Sequence, residues 1–522
     1  MKLSRRALLQ WMALSSVSQL SWGQTDQRVT TANWPQDDYK ALVCLFLYGG
    51  NDSWNLLIPC ADEQGRGPGA GFGYQTYQQR RADMAVNAER LTLTPTPTPT
   101  PTDKPVPQWS SPKDNPYFAD SAANAYKKGV YELDNSGWGI NACAPELALL
   151  WQQQQLAWIA NTGVLVEPVT RETLNSAQLP YFLYAHNHQQ RALTTANAAR
   201  MVRYGWAGRL ADVWMAGQGG INGQHPFGLN ISLGNNSPIF AAKTATELVL
   251  PAGKPPVVAG MQTSNQHQQA LAAAYEQLLA SSGGDRFSDY MRHQQQRMMD
   301  ITAMLNERWP ATHNYQAQTG LYGEGLFELP DNRLLGLGEG LPGNLTSQLE
   351  SVARLIEIGR QDGQQRQIFF VTLGGFDTHA TQADKHPLLL RHLSLALWKF
   401  QSAMNSLGLE KQVTLFTQSD FARTLQNNGS GTDHAWGGHQ LVMGGAVNKG
   451  IYGQMPDLRD QSPDMVADQR GRVIPSLAAE QTSAAIASWF GLQEQDMDTV
   501  FPGLRRFATN NRINSAWLPI MV

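Results

Sequence analysis

The segment Val413–His439 has the sequence VTLFTQSDFARTLQNNGSGTDHAWGGH and is predicted to lead from a buried strand into a polar loop. Residues 413–417 are apolar or β-branched, as expected for a strand that is covered on both faces. The chain then becomes polar and rich in glycine, and it presents side chains that bind borderline or hard divalent metals, namely Asp420, Asp433, His434 and His439. A solvated loop after a strand would explain any one of these residues, but the four together favour a metal site.

Two other apolar runs of strand length end in a similar way. Residues 41–48 (ALVCLFLY) are followed by a pair of glycines and Asp52, and residues 367–373 (QIFFVTL) are followed by a pair of glycines and Asp377. If these strands are parallel neighbours of the strand before Asp420, their carboxyl ends meet at one edge of a sheet. Carboxylates that converge in this way repel one another unless a cation lies between them.

Helical patterns alternate with the strands. Periodic apolar residues predict helices over 145–155, 345–358 and 392–407, and a further strand over 156–160 follows the first of them. This alternation predicts an α/β fold with a mainly parallel sheet, covered by helices on both faces and connected by right-handed crossovers. A chain of 522 residues fits one large α/β domain with inserted segments, or two domains.

Two segments interrupt this alternation within a domain expected to span residues 38–520. Residues 61–110 contain a glycine-rich patch and Thr-Pro repeats, which predict an exposed excursion to which we assign no chemistry. Residues 205–340 combine helical spans with short strands at 229–233 and 246–250. We expect this second segment to form a decorating insertion.

The first 23 residues predict export. Residues 4–9 (SRRALL) form a twin-arginine pattern, which is followed by a modestly apolar segment and by small residues at plausible cleavage positions. We therefore expect passage through the twin-arginine translocase and a periplasmic or secreted protein. The apolar segment is too short to span a membrane, and no later run reaches about 18 uninterrupted apolar residues.

The charge balance argues against nucleic acid as a partner. The chain has 40 basic and 43 acidic residues, and removal of the first 23 residues takes the net charge from −3 to −6. No basic stripe with interleaved aromatic residues is present. Among the three cysteines, Cys44 lies in an apolar run, and whether Cys60 and Cys143 pair is left open.

Three motifs occur behind the twin-arginine pattern: LYGGNDSWN, LGGFDTH, and QSDFART followed by GTDHAWGGH. In combination they resemble the exported bacterial domain-of-unknown-function family 1501, which looks like a branch of the alkaline-phosphatase and sulfatase superfamily. The resemblance covers most of the mature chain. It implies an alkaline-phosphatase-like fold and a site for one or two metals, built from an Asp after the first strand, a later Asp and His, an Asp-His pair and a further His.

The resemblance implies a role for each matching residue. Asp52 takes the position after the first strand, and Asp377 and His379 take the later Asp and His positions. Asp420 stands where the Asp of the Asp-His pair is expected, but Phe421 replaces the histidine.

The imidazole that is missing at Phe421 has candidate replacements. Asp433-His434 and His439 lie in the following loop and can supply it. Separately, His186 and His188 belong to an aromatic and histidine cluster, in which they are either ligands or substrate contacts or, more commonly, fill a polar corner. A mixed shell of histidine and carboxylate favours Zn²⁺ or Mn²⁺, while Ca²⁺ and Mg²⁺ are left open.

The nucleophile is harder to place. Phosphatases and sulfatases of the superfamily use a Ser, Thr or modified Cys, and Ser53 and Thr162 are candidates because each follows a strand. The sulfatase motif Cys-x-Pro-x-Arg is absent, and so is a Gly-x-Ser-x-Gly elbow, which makes a Ser-His-Asp hydrolase a weaker alternative. Arg423 is a candidate anion clamp or a structural partner of Asp420.

These features favour an exported, metal-dependent hydrolase for phosphate or sulfate esters, carried by a small molecule or by a polymer. The alternative is a catalytically inactive exported protein for binding or assembly, which keeps the fold with or without the metal. The unplaced nucleophile and Phe421 favour the alternative, and the set of His and Asp residues opposes it.

Overall fold

The computed structural model describes residues 38–61, 73–91, 126–215, 220–222, 225–253, 255, 265–280, 285–330, 340–510 and 512–522. The predicted signal peptide and the Thr-Pro repeats lie outside the described residues. Within the ranges above, no helix is both long enough and apolar enough to cross a bilayer.

A mixed sheet of nine strands forms the centre of the fold. The strands of the chain are β1 (Lys40–Tyr48), β2 (Leu57–Pro59), β3 (Val130–Glu132), β4 (Trp138–Asn141), β5 (Leu156–Gly163), β6 (Asn230–Leu233), β7 (Glu247–Leu250), β8 (Arg366–Gly374), β9 (Val413–Ser419), β10 (Arg423–Asn427), β11 (Thr432–His434), β12 (Gly438–Met443), β13 (Gly450–Tyr452) and β14 (Leu477–Ala478). The order in the large sheet is β13-β5-β12-β9-β1-β8-β6-β7, and β14 also pairs with β5.

Most of the pairings in this sheet are parallel, as predicted. β1 lies between β8 and β9 and is parallel to both, so that Ala41 is level with Gln367 on one side and with Val413 on the other. Of the described strands in the large sheet, β12 alone runs antiparallel to its neighbours, β5 and β9. The carboxyl ends of β8, β1 and β9 therefore lie side by side at one edge.

Helices cover both faces of the sheet and confirm the α/β fold class. The helices are α1 (Tyr74–Arg81), α2 (Pro145–Gln152), α3 (His186–Thr195), α4 (Trp206–Met215), α5 (Gln266–Ala280), α6 (Arg286–Arg308), α7 (Leu345–Gln361), α8 (Gln382–Ser406), α9 (Ala479–Phe490) and α10 (Met497–Val500). Alternate residues of β1 enter different cores: Val43 packs in the core that includes α2, α7 and α8, whereas Cys44 packs in the core that includes α4 and α9. A strand that is buried on both faces needs an uninterrupted apolar run.

Three expectations from the sequence need correction. The short strands at 229–233 and 246–250 were expected to belong to a decorating insertion. Instead, β6 pairs with β8, with Ile231 level with Phe369, and β7 pairs with β6, so both strands extend the large sheet. α8 begins at Gln382, ten residues before the predicted start at residue 392. The prediction missed the first part of the helix because buried polar residues there interrupt the apolar period. Two of them, Gln382 and Arg391, bond to Asp52 and Glu146 respectively.

The third correction concerns the 61–110 segment, of which residue 61 and residues 73–91 are described. These residues were expected to be exposed, but α1 buries Tyr77 and Arg81 completely. The Arg81 guanidinium pairs with the Asp52 carboxylate beneath the turn that follows β1.

The cysteines are all buried free thiols, and burial raises the pKa of Cys143 to about 12.

Candidate metal centre

Two of the acidic residues that follow strands meet at the turn after β1. The buried Asp420 accepts a hydrogen bond through Oδ2 from the Gly49 N–H, at 2.7 Å, which joins the end of β9 to this turn. Asp377 approaches the same turn from β8. A side chain at Gly49 would place its Cβ 2.3 Å from the Asp377 nitrogen, and the φ of +116° also favours glycine, so this close approach requires Gly49.

Three histidines surround Asp377, and each uses Nδ1 to bind an acceptor. Nδ1 of His186, at the start of α3, lies 2.7 Å from Asp420 Oδ2. Nδ1 of His434 lies 2.8 Å from the Tyr184 carbonyl oxygen, and Nδ1 of His379 lies 3.1 Å from a carboxylate oxygen of Asp433. Because these acceptors have no proton to donate, the partners assign the proton of each neutral ring to Nδ1 and leave a lone pair on Nε2.

The Nε2 atoms converge on Asp377. The Nε2 atoms of His379 and His434 are 2.8 Å apart, and they lie 3.2 Å and 3.3 Å from Asp377 Oδ1. His186 Nε2 lies 3.6 Å from Asp377 Oδ2 and has no hydrogen-bond partner among the described residues. Ligand atoms of His186, Asp377 and His434 all lie within 4.8 Å of one another.

This arrangement fits a divalent cation. Lone pairs that face one another and a carboxylate repel, and a cation between them removes the repulsion. Histidine ligands of metals are oriented in the same way, with the second ring nitrogen held by a carboxylate or a carbonyl. Three imidazoles and one carboxylate form a donor set suited to Zn²⁺.

The local electrostatics lower the pKa values of two of the proposed ligands, His434 and Asp377. Burial lowers the pKa of His434; the Tyr184 carbonyl opposes this shift, and the charge of Arg423 adds to it. Burial tends to raise the pKa of Asp377, but the hydrogen bond and charge of Arg423 outweigh it and hold the pKa below its ordinary value. Both shifts favour the forms that bind a metal, a neutral imidazole at His434 and a carboxylate at Asp377.

Arg423 is a structural partner of Asp377, not of Asp420 as the sequence suggested. Its guanidinium is fully buried and donates to the carbonyl oxygens of Gly50 at 2.8 Å, Thr432 at 3.0 Å and Phe376 at 3.1 Å. It also donates to Asp377 itself. These bonds connect three loops and orient a ligand, and they direct the guanidinium away from the position of an anion clamp.

The structure directs two predicted metal ligands to other partners. Asp52 is buried, and its Oδ2 bonds to Arg81 and Gln382, so its charge is balanced by a guanidinium of the chain itself. His439 packs 4.5 Å from the Trp54 ring, and its Nδ1 accepts a hydrogen bond from a backbone N–H. Burial lowers the pKa of His439 to about 3, as expected for a neutral core histidine.

The two candidate nucleophiles are also buried. Ser53 Oγ accepts a hydrogen bond from the His439 backbone N–H at 2.7 Å, and Thr162 is 6% exposed. Both residues line a small cavity that Asp420 also lines. Neither hydroxyl is on the exposed side of the histidine cluster.

Sequence reasoning left His186 outside the predicted ligand set, although it noted the aromatic and histidine cluster that contains it. His186 supplies the imidazole that Phe421 replaces in the predicted Asp-His pair, from a position 234 residues before Asp420. The Phe421 ring packs against the rings of His186 and His434, with centroids 4.7 Å and 4.5 Å away. The only local sign that His186 is part of a site was the aromatic and histidine sequence YFLYAHNH. The pairing of His186 with Asp420 depends on the tertiary fold and cannot be seen in the sequence near either residue.

Solved structures similar to this chain include Ps i-CgsB, with 9% identity and a TM-score of 0.26 over 69% of this chain and 70% of that chain. A complex of Ps i-CgsB with k-i-k-neocarrahexaose has 10% identity and a TM-score of 0.25, over 67% and 68%. The phosphonate monoester hydrolase of Agrobacterium radiobacter has 12% identity and a TM-score of 0.22, over 67% and 69%. These TM-scores are too low to support an inference about fold or function.

No curated protein matches the chain. The model of a family described as a protein of unknown function, DUF1501, matches residues 153–470, which is more than half of the 522 residues. The matched region includes β5, β8, β9 and the cluster of three histidines with Asp377. The chain is therefore a member of the DUF1501 family.

Proposed function

We propose that this protein is an exported, metal-dependent hydrolase of phosphate or sulfate esters. The observation that supports the proposal most strongly is the convergence of three Nε2 lone pairs on Asp377, with each imidazole held through Nδ1. The geometry is costly without a cation, and the fold maintains it with residues from three separate segments, the start of α3, the loop after β8 and the strand β11.

The residues that would hold the cation are His186, His379, His434 and Asp377, with Zn²⁺ or Mn²⁺ favoured by this donor set. When bound, the metal would polarise the ester oxygen and stabilise negative charge on the attacking and leaving oxygens. Asp420 and Asp433 orient two of the imidazoles, and Arg423 fixes the carboxylate.

The open side of the cluster is the side on which substrate and water can approach. The side chains of Asp377 and His379 are 47% and 43% exposed, whereas that of His434 is 23% exposed. Because Ser53 and Thr162 are buried, we propose that water is the nucleophile and that no serine or threonine ester forms.

The second candidate function is an inactive binding or assembly protein that retains the metal. The burial of both candidate hydroxyls favours it, because the relatives with phosphatase or sulfatase chemistry place a nucleophile beside the metals. The two proposals share the metal site and differ only in turnover.

Elemental analysis and an ester screen on the exported, untagged protein test both proposals. We expect bound metal in the wild type, loss of metal and of p-nitrophenyl phosphate or sulfate hydrolysis in His434→Ala, and no change in His293→Ala, which removes an exposed histidine from α6. Metal without turnover of any ester would favour the binding protein. Absence of metal after purification without chelators would contradict both.

A further inference from the structure

An exposed aromatic patch borders the metal centre. It consists of Leu179, Tyr181, Phe182 and Met201, together with the ring of His188, and the side chains of Tyr181, Phe182 and Met201 are 49%, 55% and 53% exposed. Leu179, Tyr181 and Phe182 of the patch precede α3, whose first residue is the cluster histidine His186. Exposed apolar groups gathered in this way commonly mark a binding surface.

The backbone of the patch is held in an uncommon conformation. Phe182 and Tyr184 have φ values of +48° and +70°, in the left-handed region that bulky side chains rarely adopt. The Gln189 side-chain amide donates to the carbonyl oxygens of Tyr181 and Phe182, and the Tyr181 N–H donates to the Ala198 carbonyl. Such strain persists where surrounding contacts enforce it, frequently at ligand sites.

The same turn serves the patch and the cluster. The Tyr184 carbonyl accepts the hydrogen bond from His434 Nδ1, while the rings of Tyr181 and Phe182 project from the residues just before it. The Phe182 ring lies 4.3 Å from the Tyr181 ring and 4.4 Å from the His188 ring, measured between centroids. The Phe182 ring is tilted by 34° from the His188 ring and is nearly perpendicular to the Tyr181 ring, at 78°, so the cluster offers separate aromatic faces on which a flat ligand can stack.

Two arginines follow Ala198, whose carbonyl oxygen accepts the hydrogen bond from the Tyr181 N–H, and the guanidinium of one of them, Arg203, lies 5.6 Å from the centroid of the Tyr204 ring. Arg200 and Arg203 are exposed on the segment that begins at Ala198, and neither forms an ion pair with the described residues. A guanidinium binds sulfate, phosphate and carboxylate groups through paired hydrogen bonds. The surface is therefore complementary to a ligand that has both flat apolar faces and anionic substituents.

Nucleic acid and anionic sugar chains both have these properties, and the charge distribution favours the sugar. Binding of a nucleic acid strand requires a track of cations along its phosphates. Two arginines in a chain of net charge −3 do not provide one. An oligosaccharide with sparse sulfate or phosphate groups needs fewer cations and offers the C–H faces of its rings for stacking.

We propose that the aromatic patch is a subsite for a sulfated or phosphorylated oligosaccharide, one ester of which lies at the metal centre. The reaction of that ester rests on the proposed function, but binding at the subsite does not. The two can therefore fail separately.

Calorimetric titration of the full exported chain with sulfated maltohexaose tests the subsite. The test variant combines Tyr181→Ala with Phe182→Gly, since glycine suits the φ of +48° at that position. The control is Phe287→Ala, which removes a phenylalanine that is 57% exposed at the start of α6. We expect binding about tenfold weaker in the double variant, from lost stacking, and unchanged binding in the control, with equal metal content and melting temperature in all three.

Unsulfated maltohexaose should bind more weakly than the sulfated form, and Arg200→Ala with Arg203→Ala should reduce that difference to the part that the metal centre contributes. The proposal is overturned if sulfated maltohexaose does not bind, if the double variant binds it as the wild type does, or if a twelve-nucleotide oligothymidine (about the site size of one single-strand-binding fold) binds more tightly. If binding depends on the patch but no ester is hydrolysed, the subsite stands and the hydrolase proposal fails.

Discussion

Asp52 and Asp377 follow adjacent parallel strands after the same pair of glycines, yet the two carboxylates have opposite surroundings. Asp52 is completely buried and is neutralised by Arg81, a cation that the chain itself provides. Asp377 is half exposed and faces three Nε2 lone pairs. The comparison teaches that one local motif can form an internal ion pair or a cation site, and that the choice depends on what distant segments place opposite the acid.

Replacement of Arg81 by Met should have the largest effect on the Asp52 side. It leaves a buried carboxylate unpaired, and we expect a loss of about 3–5 kcal/mol in the free energy of unfolding. Urea denaturation measures this loss. The double variant with Asp52→Asn should recover part of the stability, and a single variant as stable as the wild type would show that the pair has no structural role.

Acid should destabilise the Asp52 side through His386, which is bonded to Asn51 and Tyr126. Burial lowers the pKa of His386 to about 4; Asp52 opposes the shift and Arg81 adds to it. The unfolded state therefore binds the proton first, so stability falls as the pH drops from about 6.5 towards 4. Urea denaturation at pH 7 and pH 4.5 should show a smaller fall in His386→Gln.

Added metal should stabilise the Asp377 side. A free Zn²⁺ concentration of about one hundred times the dissociation constant should raise the free energy of unfolding by about 2.7 kcal/mol. Urea denaturation with Zn²⁺ and with a chelator measures the difference. His186→Ala should lose most of this increment at the same Zn²⁺ concentration, because its remaining ligands bind the metal more weakly, and His293→Ala should keep it; equal increments in both variants would place the metal elsewhere.

Asp420→Asn should have a smaller effect, one that is confined to the Asp377 side and absent from the Asp52 side. The change weakens the partner that orients His186 and should reduce Zn²⁺ affinity about 10–100-fold, as for other residues that orient metal ligands. Asp52→Asn should leave the affinity unchanged, because Asp52 binds Arg81 instead. Competition with a chromophoric chelator measures both constants, and equal losses would contradict the distinction.

The sequence predicted the edge of the sheet where the acids meet, because continuous apolar runs identify parallel strands that are buried on both faces. It also predicted Asp377, His379 and His434 as members of one group. It could not predict that Asp52 would be neutralised, since Arg81 lies in a segment whose composition resembled an exposed linker.

His186 was missed for a related reason. Its partner Asp420 is 234 residues away, and the pattern of apolar residues in either segment does not predict that the two side chains meet. Burial likewise separated Ser53, Thr162 and His439 from the cluster, although their spacing after strands resembled that of reactive residues. In each case the fold determined the partner, and local sequence determined only the type of side chain.

X-ray absorption spectroscopy of the zinc-loaded protein tests the central claim most directly. The account predicts a shell of nitrogen and oxygen ligands at about 2.0–2.2 Å, with multiple scattering from three imidazoles that falls to two in His186→Ala. A shell without imidazole scattering, or one that His186→Ala leaves unchanged, would contradict a metal centre built from His186, His379, His434 and Asp377.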